Sequence, residues 1–146
     1  MSRFLPLAAL VLSLSGCFGA PMTPAEIHDH GTHSFDAPVD KVFQATVGAL
    51  KVEGYEVAIA NEEKGTIKTD RKLVRADAVG AQSAVAVQRQ YIISVKADGN
   101  KTIVEAVPRI FRGEADLSDG AVWAMKGDAG EYALWNNLFK DIQDAL

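Results

Sequence analysis

The sequence contains little cysteine and histidine, and both residue types lie near its beginning. Cys17 is the only cysteine among 146 residues, so the chain can form neither an internal disulfide nor a cluster of thiolate metal ligands. All three histidines precede residue 34, which leaves the rest of the chain without the usual general base of a hydrolase. No Walker-type or dinucleotide-binding glycine pattern is present. We therefore expect no enzyme and no cofactor.

Basic residues are few and form no run. The chain has 15 Lys and Arg against 19 Asp and Glu, a net charge of −4 at pH 7. Nucleic-acid binding needs a concentrated basic surface that neutralises phosphates. The sequence therefore predicts no nucleic-acid partner.

The first sixteen residues have the organisation of a signal peptide. Arg3 provides a positive start, and an apolar run from Phe4 to Leu14 is followed by small residues. This run is too short for a permanent membrane helix, which needs about 20 apolar residues. Residues 1–16 are therefore predicted to be removed.

A lipid-attachment motif follows the apolar run. Leu14-Ser15-Gly16-Cys17 resembles the lipobox, where lipoprotein signal peptidase cuts before a cysteine that carries diacylglycerol. The alternative is an ordinary signal peptide that is cut near Gly19 or Ala20. A triacylated Cys17 would anchor the chain stably. Phe18 replaces the Asp of an inner-membrane retention signal, which favours the outer membrane, with the domain facing the periplasm.

Residues 17–31 are predicted to be a lipidated N-terminus and flexible tether, because prolines and small residues interrupt any helical or strand period. The histidines lie at its end and just beyond it, at His28, His30 and His33. Imidazole nitrogens bind Zn²⁺, Cu²⁺ or Ni²⁺, so these residues are candidate metal ligands. The alternative is a solvated polar segment that leads into an edge strand.

Residues 32–146 are predicted to form one α+β domain with the order β-α-β-β-β-β-α. Thr32 to Phe35 form a possible edge strand, and a helix with Asp36 as its N-cap follows and ends at Gly54. A hairpin comes next, then a long hairpin, and an amphipathic helix starts at Glu131. Helices at both ends can bury their apolar stripes only on one face of an antiparallel sheet. A two-layer domain results.

The long hairpin joins strands 85–97 and 100–111. Asp98-Gly99 suits a two-residue type I′ turn, which places Val95 opposite Thr102. Pro108 has no amide donor, so its strand is predicted to be bulged or at an edge there.

Two segments without a clear period, Arg71–Ala84 and Arg112–Gly130, are predicted to be long loops, the first of them mobile. Each contains candidate partner-binding residues. Arg71 and Lys72 belong to a concentration of positive charge, and Trp123 and Met125 are of the kind found at interfaces. The alternatives are a solvated strand face and side chains that cover the end of a core.

Several short motifs share a familiar order: Val-Phe-Gln-Ala in the first helix, "LKVEGYEV", "GTIKTD" and "YIISV". In this order the chain resembles a BamC-type domain, the helix-grip module of an accessory lipoprotein of the β-barrel assembly machinery. The resemblance implies a non-catalytic binding component of an outer-membrane protein assembly complex. This chain has a single such domain and a short tether.

The sequence therefore predicts a lipid-anchored adaptor that binds envelope proteins. The alternative is a periplasmic carrier or sensor of a lipid or other small hydrophobic ligand, because a helix across a curved sheet can enclose a cavity. The apolar positions are barely enough to fill the interior, which favours the adaptor. The partner and the oligomeric state stay open.

Overall fold

The computed structural model describes residues 22–118 and 131–146. In these ranges three helices and a seven-stranded antiparallel sheet form an α+β domain, which confirms the predicted fold class. The sheet order is β1-β6-β5-β3-β2, and β4 pairs with β5 while β7 pairs with β6. The elements are α1 (Pro24–Gly31), β1 (Thr32–Phe35), α2 (Val39–Val52), β2 (Val57–Asn61), β3 (Thr66–Thr69), β4 (Lys72–Val79), β5 (Ser83–Asp98), β6 (Lys101–Arg112), β7 (Ala115–Asp116) and α3 (Glu131–Asp144).

Helix α1 lies in the segment predicted to be a flexible tether. Thr23 Oγ1 accepts a hydrogen bond from the Glu26 amide at 3.3 Å, and Glu26 Oε2 accepts one from the Thr23 amide at 2.8 Å. This capping box offsets the cost of starting a helix of two turns. Met22, just before it, is 1% exposed in the core. The tether prediction is therefore wrong for this helix, and the folded unit includes residues before 32.

Helix α2 packs through the stripe that its sequence period predicts. Gly54, with φ of 76°, ends it as expected. The predicted start is wrong, because Pro38 is the N-cap, without a side-chain cap, and Asp36 lies 3.3 Å from Lys101 instead. The buried residues of the stripe are Val42, Phe43, Ala45, Thr46, Ala49 and Leu50.

The predicted mobile loop is mostly a strand. Residues Lys72–Val79 form β4 and pair with the first half of β5, with a register shift between Leu73 and Arg75. Alanine favours strands weakly, and the shift breaks the alternation, so the pattern gave no strand period. In the second predicted loop, Ala115–Asp116 pair with the end of β6 as β7.

Strands β5 and β6 form the long hairpin in a register different from the predicted one. Asp98 lies opposite Lys101, Gly99 has φ of 61°, and Asn100 has no positive φ. This combination fits a type II′ turn, not the predicted type I′ turn. Val95 therefore faces Val104 instead of Thr102. A shift of two residues keeps each side chain on its face, so the predicted core face is retained.

Pro108 lies where β6 has no outer strand neighbour among the described residues. Strand β1 pairs with β6 as far as Glu105, and β7 pairs from Phe111 onwards. The predicted edge position of this proline is therefore confirmed, as is the edge position of β1.

Helix α3 closes the core. Trp135 is fully buried, and its Nε1 donates to the Ala106 carbonyl oxygen at 2.9 Å. Gly31 approaches the same oxygen so closely that an added Cβ would lie 2.9 Å from it. The buried side of α3 consists of Glu131, Trp135, Leu138, Phe139 and Ile142. Leu134 and Leu146 are 36% and 44% exposed, so they lie outside this buried side.

Candidate functional site

The face of the sheet opposite α2 and α3 carries a row of three apolar residues and one lysine. Pairing between neighbouring strands aligns Ile59, Lys68, Ile92 and Val107 across β2, β3, β5 and β6. We call these four residues the open sheet row. Ile59 is 51% exposed and Val107 is 40% exposed. Exposed apolar side chains that lie next to one another mark interaction surfaces more often than scattered ones do.

Arg71, predicted to bind a partner, lies on the same side of the sheet. Its guanidinium carbon is 3.7 Å from the centroid of the Phe111 ring, and that of Arg109 is 5.6 Å from it. Phe111 is therefore only 5% exposed although it faces away from the core. Glu114 lies 3.8 Å from Arg71, and Asp116 forms an ion pair with Arg109. The open sheet row thus ends in a cationic patch whose charge is partly balanced.

Lys72, predicted to act with Arg71, has a structural role. Its Nζ donates to the Glu53 carbonyl oxygen at the end of α2 and lies 4.7 Å from the centroid of the Tyr55 ring. A cation at this position compensates the negative end of a helix. The structure therefore does not bring Lys72 and Arg71 together.

The three histidines have three separate partners. His28 Nδ1 lies 3.0 Å from Glu105 Oε1, and the ring of His30 lies 4.0 Å from that of Tyr132. His33 stacks on Phe139 at 5.2 Å. No group of three potential ligands is found among residues 22–118 and 131–146. The structure does not assemble the predicted histidine site, and these rings pack α1 and β1 against α3 and β6.

A buried ion pair ties the start of α3 to β5. Arg89 and Glu131 are 2% and 6% exposed, and both Nη atoms of the arginine donate to the carboxylate. Nη2 also donates to the Tyr91 hydroxyl at 3.0 Å. Burial raises the pKa of Tyr91 and of Tyr55, and the positive charge of Arg89 offsets part of each rise. These groups are paired with one another inside the fold.

Strand β4 and the start of β5 extend beyond β6. The last pair of β5 and β6 is Val87 opposite Arg112, whereas β4 and β5 pair as far as Val79 opposite Ser83. We call residues 75–79 and 83–87 the arm. The exposed apolar residues of β4 are Leu73, Val74 and Val79, which are 60%, 46% and 45% exposed.

A small charge cluster lies on the arm. Arg75 Nε donates to Asp77 Oδ1 at 2.8 Å, and Arg112 Nε lies 3.5 Å from Asp77 Oδ2. The hydrogen bond from Arg75 lowers the pKa of Asp77, and desolvation of the carboxylate opposes part of this shift. The carboxylate therefore stays ionised at neutral pH.

An open groove of 530 Å³ lies between α2, the β2–β3 turn and the end of α3. Gln44 Nε2 donates to Glu62 Oε2 across it at 2.9 Å. The lining residues are Asp40, Lys41, Gln44, Ala45, Gly48, Glu62 and Ala145, of which four are polar or charged. The groove is open to solvent, whereas sites for small hydrophobic ligands enclose most of the ligand.

Three predicted residues lie outside the described ranges: the lipidation site Cys17 and the candidate anchors Trp123 and Met125. Among the described helices, none is long and apolar enough to cross a bilayer. The open sheet row and the arm were not predicted as sites. A signal for the row was present, because Ile92 and Val107 are apolar at positions that alternation assigns to the polar face.

Comparisons with known proteins give similarities of structure alone. No protein-family model and no curated protein sequence matches this chain. A crystal structure of a DUF4468 family protein from Bacteroides ovatus is similar, with 16% identity, a TM-score of 0.45, and coverage of 78% of this chain and 83% of that chain. A TBP-like protein from Parabacteroides distasonis has 18% identity, a TM-score of 0.40, and coverage of 78% and 90%. Neither description names an activity.

Proposed function

We propose that this chain is a lipid-anchored envelope protein that acts as a non-catalytic adaptor for other proteins. The open sheet row is the observation that carries the proposal. Ile59 and Val107 expose apolar surface at the two ends of the row, and the half-buried residues Lys68 and Ile92 lie between them. Exposed apolar side chains set among polar ones fit the surface of a non-obligate protein interface.

The lipobox at Cys17 supports the location. A triacyl anchor holds the chain at a membrane, and Phe18 favours the outer membrane with the domain in the periplasm. Lys68 lies within the open sheet row, and Arg71 lies on the same side of the sheet, so a partner that presents both acidic and apolar residues fits best. The resemblance to BamC-type domains supports the narrower proposal that the partner belongs to outer-membrane protein assembly.

The carrier of a hydrophobic ligand is the weaker candidate. The groove beside α2 is open and is lined by Asp40, Lys41, Gln44 and Glu62. A hydrophobic ligand would gain little there, because an open groove leaves much of the ligand in contact with water. The core between the sheet and the helices is filled by Trp135, Leu138 and Ile142.

Photo-crosslinking in intact cells tests the adaptor function. A photoreactive amino acid at Val107 reports on the open sheet row, and one at Val52, which is 77% exposed on α2, serves as the matched control. We expect the probe at Val107 to crosslink to an outer-membrane-associated protein, which mass spectrometry identifies. The substitution Ile59→Asp should abolish this crosslink. Equal capture at Val52, or no adduct at Val107 in a chain that accumulates normally, would refute the proposal.

The anchor has its own test. Cys17→Ser removes the only thiol that can be acylated, so the chain should move from the membrane fraction to the soluble periplasm. Retention of this variant in the outer membrane would show that lipidation does not locate the protein.

A further inference from the structure

The backbone groups on the outer edge of β4 pair with no other described strand. The Ala86 carbonyl oxygen accepts from the Gly113 amide at 2.9 Å, on the side of β5 that faces β6. The amide and carbonyl of one strand residue point to the same side, so Ala86 directs both towards β6. Ala76, which lies opposite Ala86, is therefore in a pair without mutual hydrogen bonds. Its amide and carbonyl point away from β5, to the free edge.

We propose that a second copy of this chain pairs with this edge, antiparallel and about a two-fold axis at Ala76. Among the described strands, β4 pairs only with β5. In the two-fold arrangement, Ala76 of each copy donates its amide hydrogen to the carbonyl of the other. The small alanine side chain allows two backbones to approach, and identical surfaces give a closed dimer.

Charge complementarity selects the second copy as the occupant. With Ala76 opposite Ala76, Arg75 lies opposite Asp77 of the second copy, and the reverse pair forms on the other side of the axis. Arg75 and Asp77 point to one face of the sheet, because they lie opposite Val87 and Val85. They would form the closely spaced type of pair, in which side chains approach most. Four charges of alternating sign result.

A two-fold axis at another residue does not pair Arg75 with Asp77 of the second copy. An axis at Ala78 places Asp77 opposite Val79, and an axis at Val74 places Arg75 opposite Leu73. The register shift between Leu73 and Arg75 also interrupts the edge, which limits how far a longer strand could pair. The edge is therefore specific for one register.

Apolar ends add to the central charges. Leu73 and Val74 lie near one end of β4, and Val79 lies at the other. Antiparallel pairing places Leu73 and Val74 of one copy beside Val79 of the other copy, at both ends of the paired strands. Six exposed apolar side chains therefore lie at the interface. A stable interface usually buries about 1,200 Å² or more, and an edge of eight residues buries less. The proposed lipid anchor would raise the effective concentration of copies at a membrane.

Cysteine crosslinking of the full chain in membranes tests this register. In Ala76→Cys the two cysteines lie opposite each other with Cα atoms about 5.5 Å apart, within the range of a disulfide. In the control Ala78→Cys they are about 13 Å apart, four residue steps along the strands. We expect oxidation to give a disulfide dimer for Ala76→Cys and none for Ala78→Cys or for the natural chain with Cys17.

Exchanging the charges at residues 75 and 77 then tests whether the strand that pairs with β4 is a second copy of this chain. Arg75→Asp in the Ala76→Cys background sets like charges opposite each other and should lower the dimer fraction about tenfold, an effect of about 1.4 kcal/mol. Arg75→Asp with Asp77→Arg should restore it. Equal dimer yields at residues 76 and 78, no dimer from an accumulated Ala76→Cys chain, or a disulfide to a different protein would each overturn the proposal. None of these outcomes depends on the adducts formed at Val107.

Discussion

The two halves of β5 have opposite surroundings. In the second half, Tyr91, Ile93 and Val95 are each at most 2% exposed, with β6 on one side and β3 on the other around Ile93. In the first half, Ser83 and Ala84 are exposed and pair with β4 alone. One continuous strand thus supports both the core and the arm. Removing buried groups from the second half should affect folding, and changes in the first half should affect association.

The largest expected effect comes from breaking the buried ion pair at Arg89. Glu131→Gln leaves the guanidinium buried without a counter-charge, which should lower the free energy of unfolding by about 3–5 kcal/mol. Arg75→Met on the arm removes an exposed arginine from its ion pair with Asp77 and should lower the free energy of unfolding by about 0–1 kcal/mol. Denaturant unfolding of the full-length chain at low concentration measures both. Similar losses from the two variants would contradict the comparison.

The pair can be examined further with a double variant. Arg89→Met with Glu131→Leu removes both charges and should recover most of the stability lost in Glu131→Gln, because no unpaired charge stays buried. If the double variant is less stable than Glu131→Gln, the ion pair adds net stability to the fold, beyond the mutual neutralisation of its two buried charges.

Two glycines with positive φ give the next effect. Gly65 and Gly80 have φ of 60° and 71°, so alanine costs about 1–2 kcal/mol at either position. At Gly65 the added Cβ would also lie 2.0 Å from the Val95 carbonyl oxygen, whereas nothing lies within 4 Å at Gly80. Gly65→Ala should therefore lose clearly more stability than Gly80→Ala in the same unfolding experiment. Equal losses would mean that the β2–β3 turn moves away without cost.

The smallest effects concern pH and have opposite signs at two carboxyl groups, Glu53 at the end of α2 and Asp77 on the arm. Burial, and secondarily Asp141, raises the pKa of Glu53, so its ionised form costs stability above that pKa. The hydrogen bond from Arg75 lowers the pKa of Asp77, so its ionised form adds stability that is lost as pH falls through the lowered pKa. Glu53→Gln should therefore stabilise the chain at pH 7, and Asp77→Asn should destabilise it.

Unfolding measured from pH 7 down to about pH 3 checks both signs, because that range spans the usual carboxyl pKa values. Each difference from the natural chain should shrink as the carboxyl group becomes protonated. A difference that stays constant over this range would show that the substitution acts through packing instead of charge.

Sequence patterns predicted the elements with strong periods. The stripe of α2 and the edge position at Pro108 follow from helical spacing and a missing amide donor. Strand β4 and helix α1 were missed, because Ala-rich and two-turn segments have weak local preferences. Tertiary pairing decides them: β4 pairs with β5, which follows it in the chain after three residues, and α1 packs on the edge of the distant strand β6.

The candidate site was predictable only in part. Arg71 was identified from charge and does lie beside the open sheet row, but its contact with Phe111 joins residues 40 positions apart in the chain. Lys72 was grouped with it because the two are neighbours in sequence. Successive strand residues point to opposite faces, so sequence proximity does not predict a shared surface.

By itself the sequence determined the class of the domain, its apolar faces and the absence of an internal disulfide, since these depend on composition and period alone. It also contains Leu14-Ser15-Gly16-Cys17, which resembles a lipobox and leads us to propose an anchor. Only the tertiary structure decided the separation of the three histidines, the pairing of Arg89 with Glu131 and the direction in which the Ala76 backbone points. These depend on strand register and on which distant segments meet, and local residue preferences do not specify either.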